Sequence, residues 1–136
     1  MTIQEFYLHA GGNYDEVLRR LSSEIRIKKV LGMLSQDGSM QDLGAALEKK
    51  DYEGAFRAAH TLKGITMNLG ITRLAEAVSE LTETLRSRAE NETIPRQFAA
   101  VEQLYLKTIE DISKLTGDDT PAGGEDGGKT IQSPDC

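Results

Sequence analysis

Apolar residues recur in this chain at intervals of three and four almost from end to end, and no stretch keeps the alternation that a half-buried strand needs. A chain so patterned has to bury stripes of helix against one another, which makes the expected fold class all-α. Glycine, serine and aspartate then divide the pattern. A short first helix is expected from about Ile3 to His9, stopped by Gly11 and Gly12. Asn13 is placed to cap a long second helix reaching about Gln36, with Tyr14, Val17, Leu18, Leu21, Ile25, Leu31 and Leu34 on one broad face. After a break at Asp37-Gly38, Ser39 reads as the cap of a short third helix, Met40 to Lys49, and Asp51 as the cap of a fourth, about Tyr52 to Leu69, closed by Gly70. Thr72 reads as the cap of a fifth helix with Leu74, Val78, Leu81 and Leu85 on one stripe. A sixth starts near Ile94-Pro95 and carries Phe98, Val101, Tyr105, Ile109 and Ile112.

Connections of two to five residues favour antiparallel neighbours, so the second, fourth, fifth and sixth helices suggest an up-and-down antiparallel four-helix bundle, with the two short extra helices covering one end. Residues 1–116 form the expected bundle. Residues 117–136 read as a flexible Gly/Asp-rich tail, because they offer too little apolar surface to offset the entropy of ordering them.

Charge and cysteine content narrow the function. The formal charge is −6, but the tail alone holds −4 of it, leaving a body without the basic footprint that nucleic acid or an anionic membrane would require. No apolar run is long enough for a membrane span, the N-terminus lacks the form of a signal peptide, and the single cysteine, Cys136, permits no intrachain disulfide and no thiolate metal site. These features point to the cytoplasm, with no metal and no cofactor.

The informative residues lie on the fourth helix. Projected at about 100° per residue, Ala55, Ala58, Ala59, Leu62, Ile65, Thr66 and Leu69 form one buried arc and His60 points the opposite way. Most isolated histidines are packing or idle surface groups, but Lys63 and Gly64 follow three and four residues on, one turn from the imidazole. A glycine there weakens the helix by about 1 kcal/mol relative to alanine, and gives room for an approaching group. A phosphorylated ring would bring close to two negative charges within reach of the Lys63 ammonium, an exposed pairing of ~1 kcal/mol or less that orients a group without trapping it. Phe56 and Met67 fall on the same side as His60, one turn before and two turns after it, and read as an exposed apolar strip for partner docking.

His60-Thr61-Leu62-Lys63-Gly64, with Leu69-Gly70 closing the helix, resembles the signature of histidine-containing phosphotransfer (HPt) domains, and the run from about Met40 to Arg86 is similar to bacterial stand-alone members of that family. The resemblance implies that His60 accepts a phosphoryl group from a histidine kinase or a receiver aspartate and passes it to the receiver domain of a response regulator. It also implies a monomer in which Lys63 neighbours the phosphate and Gly64 gives clearance. Many family members carry a glutamate or glutamine 22 residues after the histidine to hydrogen-bond its ring. Thr82 stands there in this chain, a hydroxyl able to make one such bond, while Glu83 is rotated by about 100°.

The chain has no Gly-rich phosphate loop and no room for an ATP-binding domain, so it is expected to be a carrier rather than an enzyme and to need a donor protein. The alternative is a helical module that is never phosphorylated and only docks or sequesters a receiver domain. A small enzyme using His60 as general base fits worst, since a convex helix offers no substrate cleft. His9 has no lysine or glycine at helical spacing and reads as structural.

Overall fold

A computed structural model describes residues 1–119, with side chains through Leu115. Seven α-helices make up the described residues: α1 (Ile3–Ala10), α2 (Tyr14–Leu21), α3 (Glu24–Gln36), α4 (Ser39–Glu48), α5 (Tyr52–Asn68), α6 (Thr72–Leu85) and α7 (Ile94–Asp119). α5 packs on α4 and α6, α6 on α7, and α7 on α3, within an up-and-down antiparallel bundle. The first three residues of the segment expected as a tail continue the backbone of α7, and the rest of that segment lies outside the described residues.

The expected long second helix is two helices. Ser22 takes a left-handed backbone (φ +80°) as its N–H closes on the Leu18 carbonyl, and the Ser23 hydroxyl then caps α3 by accepting from the Arg26 N–H. The restart changes the phase. Ile27, Leu31 and Leu34 enter the core, while Ile25, expected on the buried face, is exposed. Serine at both positions offers the backbone alternative hydrogen bonds, and here that local chemistry overrides an apolar spacing that runs on without interruption. Tyr14 bonds the Glu24 carboxylate across the break, and Arg20 donates to the Asn68 carbonyl, tying α2 to the end of α5.

α4 also departs from the expected arrangement. Its Met40 and Leu43 are buried, and it lies along α5 as part of the wall rather than only over the end of the bundle. Ser39 is its first residue and not its cap, and Asp37 receives the Ser39 N–H instead; Thr72, expected to cap the next helix but one, is likewise the first residue of α6, whose N-cap is Ile71. Asp51 caps α5 as expected by accepting from the Gly54 N–H. At the other end of α5, Gly70 has φ +70°, and a Cβ there would stand 2.5 Å from the Val17 side chain, so both backbone and space require glycine.

α1 covers the end of the bundle nearest the close of α5. Thr2 and Glu5 form a reciprocal capping box, and Ile3, Phe6 and Tyr7 are buried. The Tyr7 hydroxyl donates to the Leu69 carbonyl at 2.7 Å, and burial pushes its pKa up, so it stays a donor. Tyr7→Phe removes that buried bond and leaves the carbonyl without it, a loss of about 1 to 2 kcal/mol that denaturant unfolding will measure.

Candidate functional site

α5 positions the site by burying one face and leaving the other open. Ala55, Ala59, Leu62 and Thr66 are fully withdrawn from solvent, and the Thr66 hydroxyl satisfies itself on the Leu62 carbonyl. His60 is exposed on the opposite face, as its helical phase requires. Lys63 is half-buried one turn on. Gly64 is exposed, and a Cβ built on it would meet nothing within 4 Å. Gly32 in α3 is equally open, so it is the position of Gly64, one turn from the imidazole, that distinguishes it. Met67 is 56% exposed on the same side, two turns from His60.

Phe56 and Thr82 are placed otherwise than the sequence suggests. Phe56 retains only 9% of its surface, because the chain leaving α6 folds over it. The guanidinium carbons of Arg86 and Arg88 stand 5.4 and 4.1 Å from its ring centre, within cation–π range. It is not an exposed docking residue, though its ring still lies against the imidazole, with centres 5.9 Å apart and planes tilted by 41°. Thr82 is fully buried and its hydroxyl donates to the Val78 carbonyl of its own helix at 2.7 Å, so its proton is already committed there.

The sequence reading missed the arginines and the carboxylates that fix them. Arg88 takes a left-handed backbone (φ +54°), held by its guanidinium bonds to Glu53 (3.1 Å) and to the Arg86 carbonyl (2.8 Å) and by its stacking on Phe56. Arg57 reaches Glu53 from within α5. Arg86 grips Glu83 through two parallel bonds of 3.1 and 2.7 Å. Those bonds hold the Glu83 carboxyl below its ordinary range, and the nearby charge of Lys63 adds to the effect. The three-residue spacing of Glu83 and Arg86 was visible in the sequence, but the nearness of Arg86 to Phe56 depends on how α6 packs against α5.

His60 stands on an exposed helix face. An open groove between α4 and α5 is lined by Asp42, Lys49, Asp51, Arg57 and Thr61, and another between α2, α5 and α6 by Arg20, Met67 and Glu80; His60 lines neither. Among the described residues no group of three or more His, Cys, Asp or Glu side chains is placed to hold a metal ion, and no helix is long and apolar enough to cross a membrane. His9 lies 3.6 Å from the largely buried carboxylate of Asp111, which Lys107 also approaches at 3.5 Å, a contact between α1 and α7 far from α5 in the chain.

The family model described as the Hpt domain matches residues 33–113, more than half of the chain, and that span contains α5 with His60, Lys63 and Gly64 as well as α6. Comparison with the curated proteins and with the solved structures gives no match.

Because Thr82 faces the interior, Thr82→Val should leave the reactivity of His60 toward a small phosphoryl donor unchanged and alter stability by no more than about 1 kcal/mol. A changed labelling rate in that variant, measured beside the parent, would bring Thr82 back to the imidazole.

Proposed function

This chain belongs to the Hpt domain family, whose members serve phosphotransfer in phosphorelays, and from that premise we propose that it carries a phosphoryl group on His60 between a histidine kinase or receiver aspartate and a receiver domain. The observation that carries the reading is the pairing of an exposed imidazole with a glycine one turn away that no contact within the chain explains. A mid-helix glycine weakens the helix, and open space above it is of use only to something that approaches from outside.

In the proposed reaction a ring nitrogen of His60 attacks the phosphorus of the partner's aspartyl phosphate. The bond from phosphorus to the carboxyl oxygen breaks, the aspartate leaves with the electron pair, and the ring loses its remaining N–H proton to solvent. Onward transfer reverses these steps on another aspartate. The partner supplies most of the electrostatic stabilisation, since His60 sits on an open helix face and not in a cleft. Lys63 neighbours the phosphoryl group, Gly64 gives the approaching backbone its clearance, and Met67 offers an apolar contact for docking. Phe56 serves from beneath, as the ring that supports the imidazole. Thr82 takes no part. The protein is proposed to act in the cytoplasm as a carrier that takes its phosphoryl group from a donor protein.

Two outcomes test the proposal. Phosphorylation by a suitable donor should be abolished by His60→Gln while receiver binding survives; binding that survives together with full labelling would show that the phosphoryl group is elsewhere. Gly64→Ala should raise the stability of the free protein by about 1 kcal/mol and yet slow transfer to a receiver, because the added methyl stands only in the partner's way. Unimpaired transfer in the stabilised variant would reduce Gly64 to a helix imperfection, and with it the main support for the reading.

A further inference from the structure

Glu83 is bonded to Arg86 and has no task in the transfer described above. Its carboxylate accepts two bonds from Arg86, one from Nε and one from a terminal nitrogen. Arg86 in turn rests on the Phe56 ring that also carries the imidazole, the guanidinium at 5.4 Å and the His60 ring at 5.9 Å from the same centre. Arg88 already covers Phe56 more closely, at 4.1 Å, and is anchored by Glu53, so Arg86 is not needed as the lid of that ring.

We propose that Glu83 is the standing counter-ion of Arg86, holding that cation against the ring on which His60 rests while the imidazole is unmodified and yielding it when His60 is phosphorylated. The proposal rests on the reading of His60 as the phosphorylation site. A phosphoryl group brings close to two negative charges and three acceptor oxygens, against one charge and two oxygens on Glu83, so it competes successfully for Arg86. The exchange disturbs no core packing, since the Arg86 and Glu83 side chains are 54% and 59% exposed.

The consequence is a carrier that does not become a sink. If Arg86 stood free, its whole attraction would stabilise phosphorylated His60. With Glu83 competing, only the difference between phosphate and carboxylate as partners remains, and the phosphoryl group leaves more easily. Glu83 is thus a positioning residue: it touches the cation and not the reacting atoms.

The test uses the full chain and potassium phosphoramidate as donor, so that no partner protein is needed. A His60 ring nitrogen attacks phosphorus, the bond from phosphorus to nitrogen breaks, ammonia leaves with its electron pair, and the ring N–H proton passes to solvent. The second ionisation of the phosphoryl group is then followed by phosphorus NMR from about pH 5.5 to 9, the range around its ordinary value near 6. Nearby cations favour the doubly charged form and lower that midpoint. Glu83→Gln should therefore titrate a few tenths of a pH unit below the parent and Arg86→Gln a few tenths above it, the size an exposed pair allows. Arg86→Lys should recover part of the parent's midpoint, which a merely structural arginine would not require. Coincident midpoints, or the reverse order, would overturn the counter-ion proposal while leaving His60 as the phosphorylated residue. Failure of phosphoramidate to label His60 in the parent would instead remove the carrier reading, and this proposal with it.

Discussion

Close packing of α5 against α4 and α6 rests on a stripe of side chains that includes two alanines, Ala55 and Ala59, followed by Leu62 and Thr66, all withdrawn from solvent. Small residues on that stripe let neighbouring helices approach closely, and dispersion contacts and apolar burial then fix the rotation of α5 about its own axis. Once that rotation is set, His60, Gly64 and Met67 have to face outward, because they lie across the helix from the buried arc. The exposure of the imidazole therefore needs no special device. It follows from the same burial that stabilises the bundle, and a change to the stripe that turned α5 would move the reactive face with it.

What surrounds the imidazole is held by charge and ring stacking at the surface rather than by enclosure. Phe56 lies beneath two guanidiniums, one of them fixed in a left-handed backbone by Glu53 and by a neighbouring carbonyl. Such contacts are individually weak in water. Together they place positive charge near His60 and leave it free to rearrange, which suits a group that must be accepted and then released. A buried cation pair would grip a phosphoryl group more firmly and would slow its departure.

The two ends of α5 are secured differently. Asp51 caps its start through the Gly54 N–H, a contact between residues three apart in the chain. Its far end depends on distant partners: the Tyr7 hydroxyl on the Leu69 carbonyl, Arg20 on the Asn68 carbonyl, and Val17 against Gly70. α1 and α2 thus stabilise the helix that carries His60 without approaching the histidine. The Ser22–Ser23 break gives α2 the separate orientation from which Arg20 reaches α5.

Local chemistry was legible in the sequence. The all-helical class, the starts of α2 and α5 at Asn13 and Asp51, the stop at Gly70 and the outward face of His60, Gly64 and Met67 all follow from periodicity and capping, which depend on residues within a few positions of one another. The structure alone decided where one helix meets another. Helical phase put Phe56 outside, and the chain leaving α6 covers it with Arg86 and Arg88. The count of 22 residues put Thr82 opposite the imidazole, and the packing of α6 turns it inward onto Val78 while Glu83 reaches Arg86. A spacing along one chain states which residues share a face. Which faces meet is set by burial summed over several helices, and no single segment contains that sum.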